Sequence, residues 1–257
     1  GAGPAGLAAA RQFALAGHAV LVCEQGPASG GLLDLAAKAP GREELGDILK
    51  FFTRELARLN VPVQYDTPLS RQILEKHTPD HVVLATGSLP EMPVIKGLFT
   101  TSMSLVTNVD LLTGKETAGS RVIVLGGGMA GLVVADFLAD QKKTVVVLNR
   151  RKSFAEEMSS NDRYYLRERL KKGGVTLYKK VAVQAFTPDG VQFTSNGEKQ
   201  VLQGFDTVVI SEKHQAVRDA KILEKDASAR FHLIGDAKSP RHLMYCISEA
   251  EELALSL

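Results

Sequence analysis

The chain has 257 residues, 44% of them hydrophobic, and its 31 Lys and Arg against 29 Asp and Glu leave a net charge of +2. That length allows one large domain or two small ones, with enough apolar content for a substantial core. The near balance of charge argues against a dedicated nucleic-acid binder, no apolar run reaches the roughly 18 residues of a membrane span, and Cys23 and Cys246 alone can build neither a disulfide framework nor a structural zinc site.

The chain opens on Gly1-Ala2-Gly3-Pro4-Ala5-Gly6, a Gly-x-Gly-x-x-Gly spacing. Such a turn normally follows a buried strand and opens a helix. Nothing precedes Gly1 here, so the spacing predicts a first strand upstream and a chain that is a piece of a longer protein. A helix is predicted over 4–16 and a strand over 19–24, closing on Glu24. Gly30-Gly31 lies in the next loop, and a helix is expected from Leu45 to Leu59. Pro90 and Pro93 mark an exit linker. Further on come a strand at 121–125, a helix at 129–140, a strand at 144–149 and a helix at 159–172. Strands near 175–185 and 190–194, with Asp189-Gly190 and Asn196-Gly197 as turns, suggest a β-meander. A strand at 231–234 and a helix from about Leu243 close the chain.

A single gapless shift lays the sequence on itself. Gly1, Gly3 and Gly6 fall on Gly126, Gly128 and Gly131; Pro4 and Ala5 fall on Met129 and Ala130. Leu7, Ala10 and Phe13 fall on Leu132, Ala135 and Leu138, and Val20 and Val22 on Val145 and Val147. One glycine fingerprint is weak evidence. Two in register, each followed by its strand, indicate an α/β chain of two Rossmann-like dinucleotide-binding domains. The first glycine permits the tight turn, the second lets backbone approach a pyrophosphate, and the third lets helix and strand pack closely. The helix N-terminus then offers free N–H groups and partial positive charge to the phosphates. Residues 1–98 are read as the first domain, 99–205 as a second domain inserted into it, and 206–257 as the return segment.

The two copies differ where the second strand ends. Glu24 can accept both hydroxyls of an adenine ribose and would repel a 2′-phosphate, which suits FAD or NAD. Its counterpart is Asn149, followed by Arg150, Arg151 and Lys152. A carboxylate about 4 Å from a phosphate charge costs roughly 4 kcal/mol at an effective dielectric of 20, or about a thousandfold in affinity. Asn149 removes that cost, and Arg150 or Arg151 can fork onto a 2′-phosphate. NADP(H) is therefore expected over NAD(H), with a plain basic loop in solvent as the alternative. Tyr164, Tyr165 and Phe154 could stack on a nicotinamide or adenine, or pack the helix. His214 and His242 fall near the expected cofactor regions without a role assigned.

These residues resemble the two-dinucleotide-domain flavoproteins, the fold of glutathione reductase and thioredoxin reductase. Gly1 to Glu24 is similar to the FAD fingerprint, and Gly126 to Arg151 to the NADPH fingerprint. Val82 to Leu84 with Ala85-Thr86-Gly87 resembles the strand and turn where the chain leaves the FAD domain. Phe231 to Ala237 resembles the late strand whose Gly235-Asp236 meets the ribityl chain and pyrophosphate; a plain helix-capping role for Asp236 stays open. Within this fold the chain looks like the C-terminal half of iron-sulfur Old Yellow Enzyme relatives, the group of 2,4-dienoyl-CoA reductase, 2-enoate reductase and trimethylamine dehydrogenase. Gly30-Gly31-Leu32 after Glu24, the stretch Ala39 to Glu44, and Gly235-Asp236 leading to Pro240-Arg241 carry that likeness. The resemblance adds Gln25, Leu32, Ala85, Thr86, Gly87 and Arg241 to the cofactor-binding set, with no catalytic or metal-binding residue in this chain.

The resemblance implies an N-terminal TIM barrel with FMN and a 4Fe–4S cluster, neither of them within these residues. Such a cluster normally takes four cysteines. NAD(P)H would give hydride to FAD, and electrons would pass to that absent half, which reduces an enoate or dienoyl-CoA type substrate. The partners are then these small-molecule cofactors and the missing half, in a parent that could be a homo-oligomer, and cysteine usage makes the cytoplasm the default location. Two departures stand out. No Cys-x-x-Cys pair is present, so disulfide reductase activity is not expected. Ser211-Glu212-Lys213 replaces the glycine-bearing crossing usual in the family, which bears on the second hinge and the NADPH pocket. Two other readings stay open. One is a binding-only or apo module. The other is a self-contained NADPH:acceptor reductase like the glutamate synthase small subunit.

Overall fold

Pro4 takes the first position of helix α1 (Pro4–Leu15), where its fixed φ suits the helix and its missing N–H leaves nothing unpaired. The structure is a computed structural model and describes residues 1–218 and 230–257. Residues 219–229 of the expected return segment lie outside the described residues. The small side chains of α1 let Leu7 and Phe13 sink into a core with Val22, Phe52 and Leu56. Strand β1 (Val22–Cys23) is shorter than 19–24, because among the described residues Val22 and Cys23 alone find a ladder partner. Helices α2 (Gly31–Ala37) and α3 (Leu45–Arg58) come next, then β2 (Val63–Gln64). Ser70 accepts the Ile73 N–H and so starts α4 (Arg71–His77). Strands β3 (His81–Leu84) and β4 (Ser88–Pro90) complete the first stretch.

Strand β5 (Ser104–Thr107) hands over to α5 (Asn108–Thr113), whose cap is the Thr107 hydroxyl accepting from Asp110 N at 3.0 Å. Then come β6 (Arg121–Leu125), α6 (Met129–Asp140), β7 (Thr144–Leu148) and α7 (Ser160–Lys172). After α7 run strands β8 (Thr176–Tyr178), β9 (Val181–Thr187), β10 (Gly190–Ser195), β11 (Glu198–Leu202) and β12 (Thr207–Ile210). Five of these strands form a parallel sheet in the order β5-β12-β6-β7-β8. After their first residues its central strands are apolar and buried, over 122–125, 145–148 and 208–210, as a sheet covered on both faces requires. Strands β9 to β11 form the expected antiparallel meander. Asp136 in α6 is buried and tied to Arg169 of α7 at 2.9 Å, which fixes one helix on the other.

The chain returns through β13 (His214–Ala216), which pairs with β4, and β14 (Arg230–Leu233), which runs parallel to β3. A 3-10 turn (Gly235–Ala237) then leads to α8 (Leu243–Ser256). Two compact units result. The first comprises Gly1–Ala37, Arg42–Leu89 and His214–Leu257; the second comprises Lys38–Gly41 and Pro90–Lys213. The crossings thus fall later on the return than residue 205, because β12 sits inside the second unit's sheet between β5 and β6. In the first unit the parallel strands form two pairs, β1-β2 and β14-β3, and no strand among the described residues joins them. Among the described residues no helix is long and apolar enough to cross a membrane.

Candidate dinucleotide-binding sites

In the first unit the glycine turn is closed on itself. A Cβ on Gly6 would lie 1.9 Å from the Gly1 carbonyl oxygen, and one on Gly1 would lie 2.4 Å from the Ala85 oxygen. Neither neighbour is a flexible side chain, so both positions require glycine. Gly3 is the N-cap of α1 and supplies no side chain to the helix end. The first-turn N–H groups of Ala5 and Gly6 are therefore the donors an anion would meet. Gly30 and Gly31, both at positive φ, fold over this turn. Gly30 N–H donates to the Ala2 carbonyl at 2.9 Å, and a Cβ on Gly31 would sit 3.4 Å from the Gly3 Cα. Two glycine pairs far apart in sequence thus make one backbone-walled turn. Leu32 is half-buried behind it, while Gln25 is exposed.

Glu24 stands at the end of β1. Its carboxylate accepts from Ala2 N at 2.6 Å and from Gly26 N at 2.8 Å. An ionised carboxylate has about four acceptor positions, so lone pairs remain for ribose hydroxyls. Glu24 thus holds the glycine turn against the strand end, a contact that spacing alone does not show.

The chain-exit turn and the late strand meet in the same unit. Thr86 Oγ1 donates to the Val217 carbonyl at 2.6 Å, and Gly87, at φ +74°, accepts the Val217 N–H. Ser88 Oγ donates to Asp236 Oδ2 at 2.8 Å and lies 3.2 Å from His214 Nδ1. Burial pushes the His214 imidazole below its usual pKa, and the Asp236 carboxylate opposes that shift. Asp236 also accepts from Arg241 N at 3.1 Å, one residue before His242, the N-cap of α8, which has no side-chain cap. Gly235 N–H donates to Glu249 at 2.8 Å. Arg241 and Lys238 both pair with that same carboxylate. The Arg241 guanidinium is therefore held by Glu249 and stacked 4.9 Å over the Tyr245 ring. Spacing and motif pointed to neither Ser88 nor Glu249. A lone serine after Gly87 and a glutamate within a final helix carry no spacing signal.

The second unit repeats the turn with closer walls. A Cβ on Gly131 would lie 1.9 Å from the Gly126 oxygen, and one on Gly126 would lie 2.1 Å from the Ser211 oxygen. The crossing Ser211-Glu212 thus runs directly beside the first glycine. Ser211 is 4% exposed, and its hydroxyl has no hydrogen-bond partner. A Cβ on Gly127 would strike Asn149 at 2.5 Å. Gly128 caps α6 with no side chain, and Ala130 is exposed on its first turn.

Asn149 is buried and organises its own loop. Its amide donates to the Ser153 carbonyl at 2.7 Å, and its oxygen accepts from Arg151 N at 3.2 Å. Arg150 is ion-paired with Glu212 at 3.0 Å, while the Arg151 side chain is exposed. At the helix entrance Met129 N–H donates to Glu157 Oε1. Glu157 does not stand out in the sequence, and the unusual crossing at Glu212 gave no hint of its pairing with Arg150. Phe154 is buried in the core under α6. Tyr164 and Tyr165, by contrast, are 61% and 68% exposed on α7, so they do not pack that helix.

A family model for pyridine nucleotide-disulphide oxidoreductases matches residues 1–212. The chain belongs to that family. Membership implies FAD and a nicotinamide nucleotide, and the two glycine turns have backbone walls that fit such groups. The chain is thus an oxidoreductase domain of the flavin- and pyridine nucleotide-dependent kind. It is 27% identical over 257 residues to an NADH oxidase of Thermoanaerobacter brockii, covering 99% of this chain and 40% of that protein. It is 30% identical over 238 residues to a bilirubin reductase of Mediterraneibacter gnavus, covering 92% and 36%. A solved structure of 2-naphthoyl-CoA reductase superposes with a TM-score of 0.93 at 25% identity, over 100% of this chain and 39% of that one. The chain therefore spans about two fifths of the relatives it matches, in their C-terminal part.

The family's name includes disulphide chemistry, but Cys23 and Cys246 are both free thiols. Burial raises the Cys23 thiol above its usual pKa. Burial, with the Asp236 and Glu249 charges, pushes Cys246 up to about 11. Neither behaves as a reactive thiolate at neutral pH.

Proposed function

We propose that this chain is the electron-input part of a larger flavin enzyme, with FAD on the first unit and NADP(H), in preference to NAD(H), on the second. One observation carries the reading. Both units close a Gly-x-Gly-x-x-Gly turn so tightly that a Cβ on the third glycine would fall 1.9 Å from the first glycine's carbonyl. A turn of this form brings backbone N–H groups up to a pyrophosphate, and it occurs once in each unit.

In the first unit Gly3, Ala5 and Gly6 present backbone to the FAD pyrophosphate, and Gly30-Gly31 walls the same position. Glu24 accepts the ribose hydroxyls. Asp236, fixed by Ser88 and by the Arg241 N–H, is aimed by the Gly235 turn toward the ribityl and phosphate region. Ala85, Thr86 and Gly87 back the cradle, and Leu32 and Gln25 border it. Arg241 sets the local charge together with Glu249. In the second unit Gly126, Gly128, Met129, Ala130 and Gly131 form the phosphate turn. Asn149 keeps a carboxylate away from the ribose 2′ position and shapes the loop that carries Arg150 and Arg151 toward a 2′-phosphate.

When bound, the two cofactors supply the redox chemistry: a hydride leaves NAD(P)H for FAD, and electrons go on to an FMN and 4Fe–4S half. That half would reduce an enoate or acyl-CoA type substrate. The likeness to the naphthoyl-CoA and bilirubin reductases supports a reductase, and the likeness to an N,N-dimethylglycine/sarcosine dehydrogenase makes amine oxidation the competing reading. The intact protein carrying this chain should be yellow, and NADPH should bleach its flavin band without oxygen, faster than NADH does. A protein that carries flavin but is reduced by neither nucleotide sinks the reading.

A further inference from the structure

Resting on the reading that the second unit binds a dinucleotide, we infer that Glu157 is a built-in competitor for the phosphate position of that site. Its carboxylate accepts the Met129 N–H, the first-turn donor at the entrance of α6. It also lies over Gly128, where a Cβ would approach Glu157 Oε1 to 2.9 Å. An anionic side chain thus uses both the donor and the clearance that a pyrophosphate needs.

The placement is built into the loop. Ala155, buried and at φ +43°, donates its N–H to the Gly127 carbonyl at 2.8 Å. Phe154 packs beside Gly127, and Met158 N–H closes a turn on the Ala155 carbonyl at 3.0 Å. The glycine turn itself therefore anchors the segment that delivers Glu157. The side chain is exposed, so it can swing out without disturbing Ala155. Glu156, its neighbour, is equally charged and exposed, but the carboxylate that accepts the Met129 N–H is that of Glu157. The first glycine of the same turn is walled by the Ser211 carbonyl, and the buried Ser211 hydroxyl has no hydrogen-bond partner.

The consequence is a threshold on nucleotide binding. A diphosphate must displace one carboxylate and tolerate its charge nearby before it can take the Met129 N–H. Inorganic pyrophosphate, which carries the same charge without the nicotinamide, probes this position whatever the physiological nucleotide.

The test is calorimetric titration of the intact protein with pyrophosphate and with NADPH, in wild type, Glu157→Gln, Glu157→Ala and Glu156→Ala. Both Glu157 variants should bind each ligand at least about tenfold more tightly, a change of about 1.4 kcal/mol. Glu156→Ala should match wild type. Glu157→Gln keeps the volume and an acceptor, so it guards against loss of the fold. Unchanged or weaker binding in the Glu157 variants overturns the inference, as does an equal gain in Glu156→Ala. If pyrophosphate tightens while NADPH binds no variant, the inference stands and the proposed nucleotide falls. If NADPH binds and bleaches the flavin but Glu157 makes no difference, only the inference falls.

Discussion

Arg150 and Glu212 meet in an ion pair of 3.0 Å, with their side chains 60% and 16% exposed. Glu212 stands in the crossing beside Gly126, so the charge in that crossing has a partner. The pair ties up one of the two arginines offered to a 2′-phosphate and leaves Arg151 exposed. Glu212→Gln should release Arg150 and raise the ratio of kcat/KM for NADPH over NADH by up to about fivefold, the scale of an exposed ion pair. Arg151→Ala should lower the same ratio by about tenfold or more, the scale of one charge-assisted hydrogen bond. Ratios that do not move in either variant would remove these residues from nucleotide selection.

Gly6 and Gly131 each face a carbonyl oxygen that a Cβ would reach at 1.9 Å. The backbone of the same turn supplies that oxygen, so relief requires the helix to move off the turn. Gly6→Ala and Gly131→Ala should each cost at least about 1–3 kcal/mol, the scale of overpacking. The functional losses should separate. Gly6→Ala should lose flavin content, read from the visible spectrum. Gly131→Ala should keep its flavin and lose reduction by NADPH. Loss of flavin in both would mean that the two turns do not hold separate groups.

The second unit was largely legible in the sequence because β6, α6 and β7 are long, strongly periodic and locally determined. The expected 121–125, 129–140 and 144–149 differ from the structure by one residue at a single end. The glycine pair Gly30-Gly31, expected within a loop, stands where α2 begins. Strand 19–24 shrank to Val22–Cys23, since a strand is defined by its neighbours and, among the described residues, β2 alone pairs there. Contacts between distant side chains were out of reach. Nothing in sequence order links Glu157 to Met129, Ser88 to Asp236, or Glu249 to Gly235, because each pair is brought together by tertiary packing.

Glu249 offers a test through pH. Burial of its side chain, 8% exposed, raises the carboxyl pKa, but Arg241, the Gly235 N–H and Lys238 outweigh it and hold the group below the usual carboxylate value. A depressed carboxyl contributes stability that is fully present above the unfolded value, about 4.3–4.5, and is lost as pH falls through the folded one. Glu249→Gln should therefore be less stable than wild type at pH 7 by about 1–3 kcal/mol, since the Gly235 N–H and two cations lose an ionised partner. The difference should shrink below pH 4. Urea midpoints at pH 7, 5 and 3.5 measure it, and a gap that persists unchanged at the lowest pH contradicts the assignment.

Cys246 packs at the turn where Gly235 comes closest to α8: a Cβ on Gly235 would lie 3.4 Å from its sulfur. Its pKa near 11 leaves almost no thiolate at pH 7, and thiolate is the form that attacks a disulfide reagent. The same charges that raise it, Asp236 and Glu249, organise the Gly235-Asp236 turn, so thiol reactivity reports on the integrity of that turn. In the native protein a disulfide reagent at pH 7 should modify Cys246 only as fast as local opening allows, and at full rate in urea. Glu249→Gln should loosen the turn and speed modification of Cys246 well above wild type. Cys23, on β1 in another part of the unit, should keep its wild-type rate and serve as the internal reference. If both cysteines accelerate together, the variant has loosened the whole first unit, and the local account of Glu249 fails.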